Sequence, residues 1–282
     1  MNKILSSFIV LMILFAWWSS LSIGLSSDEY FHHINGLVRY KFLVSFGEIQ
    51  KFEFRNNQFY PGLYDTISYA FGQIFFLINK KFYVNNIDVV MHFVNISFST
   101  LSILGLYLIT QKLFNKKIAL LTSLLTLLNP FFFGHMGINQ KDIIVFFAFI
   151  WACYYFYLYC TENNNLLKYL ILFSLFFGFG CGVRLTFVVV IFPVVIIGLY
   201  YLIKRFKSDY LYLSKRLFFH IPIVFIISTF LVILCWPHII VEINKGNFFE
   251  FLSLVVKNTI NWNDGPKICL LYTSDAADDT SG

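Results

Sequence analysis

Seven stretches of this chain are apolar for long enough to cross a lipid bilayer or nearly so. They are Ile4–Leu25, Val89–Thr110, Ile118–Leu128 with the apolar edge Pro130–Phe133, Ile143–Tyr159, Leu166–Gly182, Leu185–Ile203 and Leu217–Trp236. A hydrocarbon core about 30 Å thick takes about 20 apolar residues of helix. Inside lipid the backbone must satisfy its own polar groups, and a continuous apolar run does so as a helix. The predicted fold class is therefore all-α, a polytopic transmembrane helical protein with about seven spans. Ile4–Leu25 exceeds the ~7–15-residue apolar core of a signal peptide, so it reads as an uncleaved first span.

The rest of the chain agrees. Of its 282 residues, 58% are hydrophobic and 13% charged, against about 45–50% and about 25% in a soluble domain. The surface of a water-soluble fold could not be built from so few charges. The net charge of +6 carries no aromatic-interleaved basic patch, so the expected partner is the lipid bilayer and no nucleic acid. Cys153, Cys160, Cys181, Cys235 and Cys269 form no CxxC pair, and four lie in apolar runs, as buried structural thiols do.

Between the first two spans, residues 26–86 are polar and mixed. Tyr30–Phe46 and Tyr64–Ile78 are weakly amphipathic there and read as helices lying on or near the membrane face. With the N-terminus in the cytoplasm, the cytoplasmic turns carry Lys112, Lys116, Lys117, Lys168, Lys204, Arg205, Lys207, Lys215 and Arg216. The short opposite turns carry only Lys141 and Arg184. That bias is the one membrane insertion favours. Were Tyr64–Ile78 a span, every later loop would change sides and the bias would invert. The expected layout over 1–268 is then a first non-cytoplasmic loop at 26–86, a cytoplasmic loop at 204–216 and a large non-cytoplasmic loop from 237, in a plasma membrane.

Charged groups at the ends of spans are the first places to look for chemistry, because charge near lipid is costly. Asp28 and Glu29 follow the first span. Lys141 and Asp142 precede the span that starts at Ile143, and Arg184 sits in a short turn. All fall on the non-cytoplasmic side. A carboxylate can take a proton from an acceptor hydroxyl, and cations can stabilise a departing phosphate. That set suits transfer from a membrane-borne phosphosugar. Solvated helix-end charges are the alternative reading of the same residues.

Several short motifs occur in order along Met1–Lys267. Ser27-Asp28-Glu29-Tyr30-Phe31-His32 resembles the Asp-Glu loop of the GT-C superfamily of lipid-linked-sugar glycosyltransferases. The closer likeness is to its branch of protein O-mannosyltransferases and aminoarabinose transferases. Asn129-Pro130-Phe131-Phe132-Phe133-Gly134-His135 and Asn139-Gln140-Lys141-Asp142 resemble the P-R-F-F-G-H and N-P-K-D runs of bacterial members. Gln140 stands where Pro is usual, and Phe131 or Phe132 where Arg often is. Gly182-Val183-Arg184-Leu185-Thr186 resembles their G-x-R-x-T/S turn, and Tyr60-Pro61-Gly62-Leu63-Tyr64-Asp65 the start of their interfacial helix. Trp236-Pro237 and Asn261-Trp262-Asn263-Asp264-Gly265 resemble the large loop after the seventh span.

The resemblance implies a membrane glycosyltransferase, acting by inversion, that moves a sugar from a polyprenyl-phosphate donor to a protein, lipid or polysaccharide acceptor on the periplasmic or luminal face. The implied setting is a bacterial inner membrane. Asp28 would be the base with Glu29 in support, and Asp142 a second acid of the cavity. Lys141, Arg184 and His135 would contact the donor phosphate, and the segment Phe31–Asn57 would help form the acceptor groove. No cofactor is implied beyond the donor. His32, His33 and His238 are too scattered for a metal ligand set, so no divalent metal is predicted. Two other readings stand beside this one: a transporter or flippase of lipid-linked sugars, and a non-catalytic membrane assembly protein. A transporter would show internal repeats and charges inside broken spans; here the carboxylates lie at the ends. Finally, Cys269–Gly282 reads as the translation of a sequencing adapter. On that reading the natural protein is longer, this chain is its N-terminal part, and the chain by itself is inactive.

Overall fold

The structure, a computed structural model, describes residues 2–49 and 59–260, and every regular element among them is an α-helix. Six are long and apolar enough to cross a membrane: α1 (Asn2–Leu21), α5 (Ile87–Leu113), α8 (Asp142–Thr161), α9 (Leu166–Val183), α10 (Phe187–Arg205) and α11 (Tyr210–Leu234). The chain is an integral, multi-pass membrane protein. The remaining expected span, Ile118–Leu128 with the edge Pro130–Phe133, is two helices, α6 (Lys116–Leu128) and α7 (Pro130–His135). The break has a local cause. Pro130 has no N–H to continue the ladder, and the Asn129 side chain accepts from the N–H groups of Phe131 and Phe132 at 3.0 and 3.2 Å, capping a new helix.

Even so, α6 and α7 together return the chain along α5. The Met136 carbonyl, just past α7, accepts from Asn95 at 3.0 Å and Ser99 at 2.6 Å near the start of α5. From Asn95 to the end of α5 is about 27 Å of helix, and α6 with α7 supply about 29 Å, at about 1.5 Å per residue.

Between α1 and α5 lie α2 (Ser27–Val44), α3 (Leu63–Ile78) and the short α4 (Lys80–Asn85). These make no net crossing, because the starts of α2 and α5 meet: Glu29 Oε1 lies 2.8 Å from His92 Nε2. Gly36 of α2 lets the two interhelical backbones approach, since a Cβ there would sit 2.2 Å from the Asp65 carbonyl oxygen.

The apolar core lies mainly between α8, α9, α10 and α11, where Phe156, Phe173, Phe187, Ile191 and Leu202 are buried. Four cysteines, Cys153, Cys160, Cys181 and Cys235, are buried free thiols. At one end of this core Arg216 donates to the Tyr159 carbonyl at 2.7 Å, and Arg205 bonds the Asn163 side chain at 2.6 Å. The lysine- and arginine-bearing turns therefore share one end of the bundle. The remaining described residues form a separate unit with α12 (Pro237–Asn244) and α13 (Phe248–Ile260). Within it Lys245 and Glu242 pair at 2.9 Å. The tail Cys269–Gly282, the Asn261–Gly265 motif and the 50–57 part of the expected acceptor segment lie outside the described residues.

Candidate functional site

The end of the bundle opposite those basic turns is held by a chain of polar side chains, and α2 is its centre. Ser26 caps α2, and Glu29 reaches back to accept from the Ser26 N–H at 2.8 Å, so the first turn is fixed. Asp28 is exposed on that turn, whereas Glu29 is fully buried. The Glu29 carboxylate faces His92, equally buried, at 2.8 Å, close in distance but without the alignment of a hydrogen bond.

Further along the same face, Asp65 on the first turn of α3 collects three residues of α2. Its Oδ1 lies 2.9 Å from His32 Nδ1, and its Oδ2 accepts from the Asn35 amide. Arg39 Nε donates to Asn35 Oδ1 at 2.8 Å. The same guanidinium, with no exposed surface, reaches the Cys235 carbonyl at 2.8 Å and the Tyr60 carbonyl at 2.6 Å. It thus ties α2 to the entry of α3 and the end of α11.

Burial works against charge on Asp65, but His32, Arg39 and Asn35 outweigh it and hold the carboxyl below its ordinary value. Burial pulls the Arg39 guanidinium down to about 10 while Asp65 opposes the fall, so it remains charged at neutrality. The Tyr64 phenol is pushed well above its usual range by burial, with Asp65 and Glu29 adding to the effect. It is therefore a neutral donor, and it bonds Asn95 Oδ1 at 3.0 Å.

Asn95 passes the network to the loop before α8, holding the Met136 and Asn139 carbonyls at 3.0 and 3.3 Å. In that loop Asn139 Oδ1 accepts from the backbone of Lys141 and Asp142 at 3.1 and 2.8 Å, which starts α8. Lys141 Nζ lies 5.8 Å from the centre of the Phe31 ring on α2. Asp142 and Arg184 pair at 3.1 Å, both about half exposed. Gly137 packs so closely on Ser20 that a Cβ would come within 2.5 Å, bringing the end of α1 to the same place. His135 turns back onto α7, with Nδ1 2.7 Å from the Phe131 carbonyl.

The residues singled out in the sequence thus fall on elements that meet at one end. Asp28 is free to face solvent or substrate, Glu29 is locked inside, and Arg184 and Asp142 hold each other. Among the described residues no group of His, Cys, Asp and Glu side chains converges as a metal-binding set.

Sequence reasoning quoted His32, Tyr64 and Asp65 within motifs but gave them no role in the site, and it did not single out Asn35, Arg39, His92 or Asn95. Part of the signal was present. Glu29, His32, Asn35 and Arg39 recur at three- and four-residue steps, a polar stripe on one face of a helix. The expected arrangement laid Tyr30–Phe46 on or near the membrane face; what it did not foresee is that the helix turns this stripe inward onto α3. A buried polar group must find partners, and Asp65 with the Tyr60 and Cys235 carbonyls supplies them.

A family model described as dolichyl-phosphate-mannose-protein mannosyltransferase matches residues 73–240, over half of the chain. The matched stretch contains His135, Lys141, Asp142 and Arg184, and Asp28 and Glu29 precede it. No curated protein and no solved structure matches the chain.

Proposed function

Because this chain belongs to the dolichyl-phosphate-mannose-protein mannosyltransferase family of membrane glycosyltransferases, we propose that it moves a sugar from a polyprenyl-phosphate donor to an acceptor hydroxyl on the non-cytoplasmic face, with inversion. The observation that carries this reading is the exposed Asp28 carboxylate on a rigidly capped turn, with Lys141 and Arg184 presented from neighbouring loops at the same end.

In this mechanism Asp28 accepts the proton of the attacking hydroxyl. The new carbon–oxygen bond forms at the anomeric carbon, the bond to phosphate breaks, and its electron pair leaves on the phosphate oxygen. Lys141 and Arg184 neutralise that oxygen. The Asp142–Arg184 pair suits the role, because a half-exposed ion pair is worth less than about 1 kcal/mol and a phosphate can displace the carboxylate. Asp142 then lines the cavity as a second acid, and Glu29 holds the turn that carries Asp28. His135 contributes to donor binding from the flank.

The test is transfer of label from dolichyl-phosphate [³H]mannose to acceptor by the full-length protein in membranes, at matched expression. Asp28→Asn keeps size and hydrogen bonding but removes basicity. It is expected to cut the rate by about 10²–10⁴-fold. Arg184→Ala is expected to raise KM for the donor as well as lower kcat. Normal transfer by Asp28→Asn would sink the assignment of the base.

A further inference from the structure

A hollow at the basic end of the bundle lies away from the proposed transfer site. Its volume is about 510 Å³, and Tyr210, Leu213, Ser214, Leu217 and Phe218 line it. These residues recur at three- and four-residue steps, on one face of the first turns of α11. The lining is chemically split. Tyr210 and Ser214 bring hydroxyls that can donate a hydrogen bond, and Leu213, Leu217 and Phe218 bring apolar surface. Further into the span the same face continues through Phe218, Ile221 and Phe225, all exposed, over about 10 Å of helix. The apolar stretch of α11 is also the least covered of the six spans, with only 6% of it buried. A polar mouth at the start of a span, opening onto an exposed apolar stripe, matches the outline of a glycerophospholipid, headgroup and chain.

The charge around the hollow selects an anion. Phe206 packs on α11, its ring 5.2 Å from that of Tyr212 and 5.7 Å from the Arg216 guanidinium. The turn that carries Lys207 is thereby fastened to the start of α11. Lys215 follows Ser214 directly, and both lysines are exposed. Asp209, the carboxylate of this stretch, is spent as a cap, accepting from the Tyr212 N–H at 3.0 Å. Among the described residues no ion pair neutralises Lys207 or Lys215. An apolar helix laid on the stripe would leave these cations unmatched, whereas a lipid phosphodiester matches both the cations and the stripe.

We propose that this hollow binds an anionic glycerophospholipid from the leaflet at the basic end. The phosphodiester accepts hydrogen bonds from Tyr210 and Ser214 and is neutralised by Lys207 and Lys215, while one acyl chain lies along Phe218, Ile221 and Phe225. Basic recesses beside spans hold lipid headgroups for the same reason, a clustered positive charge at headgroup depth. The site takes no part in sugar transfer and does not depend on that reading.

The probe is phosphatidylglycerol, with phosphatidylcholine of the same acyl chains as the neutral comparison. Each is titrated onto the delipidated full-length protein in a neutral detergent, and bound lipid is counted by native mass spectrometry. Wild-type protein is expected to hold one phosphatidylglycerol more tightly than phosphatidylcholine. Lys207→Gln with Lys215→Gln is expected to weaken phosphatidylglycerol about 25-fold, at about fivefold per lysine, and to leave phosphatidylcholine unchanged. Ser214→Trp keeps every charge but fills the hollow, and it is expected to abolish the one-lipid species. Lys117→Gln with Lys168→Gln removes the same charge from exposed positions on α6 and α9, and it should bind phosphatidylglycerol as the wild type does. Every substituted position is exposed, so the variants are expected to keep the wild-type thermal midpoint without added lipid. An equal loss in the Lys117 and Lys168 control would replace the site with diffuse surface charge. Equal affinity for the two lipids would overturn the selection of an anion. Displacement of bound lipid by millimolar glycerol phosphate would overturn the role of the acyl chain and leave a site for free phosphate. Unchanged binding by Ser214→Trp would overturn the assignment to this hollow.

Discussion

Asp65 is the residue on which the α2–α3 junction depends, and its charge state sets how that junction responds to acid. Its folded carboxyl lies below the ordinary value of 3.8 because His32, Arg39 and Asn35 outweigh burial. A group depressed in the folded state adds stability that is complete above its unfolded value and is lost as the pH falls through its folded value. Wild-type protein in detergent should therefore melt higher than Asp65→Asn at neutral pH, and the gap should close only as the pH falls below 3.8. A gap constant down to the lowest pH would show that the Asp65 charge contributes nothing. The sequence displayed Asp28, Glu29, Lys141, Asp142 and Arg184 plainly, because charge is rare here and these sit at helix ends. It did not display their pairing. Glu29 and His92 are far apart in the chain, Arg39 and Cys235 farther still, and no local pattern names such partners. Whether a carboxylate is exposed like Asp28 or locked away like Glu29 depends on which face of α2 turns toward α3 and α5.

At the scale of elements, close helix contacts rest on small residues, because lipid tails give apolar helices no hydrophobic reason to associate. Gly178 of α9 lies against α11, where a Cβ would come within 2.7 Å of the Ser228 Cα, and the Ser228 hydroxyl donates to the Ser174 carbonyl at 3.1 Å. Gly178→Leu should push α11 away and cost about 1–3 kcal/mol, read as a lower thermal midpoint in detergent. Gly134→Leu is the matched control, since nothing lies within 4 Å of a Cβ there, and it should not lower the midpoint. Equal effects from both would remove the packing argument. The spans themselves were legible from length and apolarity. The break at Asn129 was harder to see: Ile118–Leu128 with the apolar edge Pro130–Phe133 reads as one span, yet a single proline with a capping asparagine divides it. The helical character of α2 and α3 was also legible, though their inward polar faces were not.

Across the whole molecule, the two ends of the bundle differ in character. One gathers the basic turns around Arg205 and Arg216, and the other holds the buried network from Glu29 to Asn139. Positive turns stay in the cytoplasm, so a reporter fused after Lys207 is expected to read cytoplasmic and one near Asn57 non-cytoplasmic. The same side for both would undo the orientation. The bond from Arg39 to the Cys235 carbonyl joins residues 196 positions apart, and that separation is also a delay. A ribosome adding about 5–20 residues per second needs about 10–40 s after Arg39 before it has made the carbonyl that this guanidinium finally holds. During that interval the partners already made for the guanidinium are Asn35 and the Tyr60 carbonyl. The end of α11 is thus the last of these Arg39 partners to be made, and a chain that stalls before it lacks the bond that joins α2 to α11.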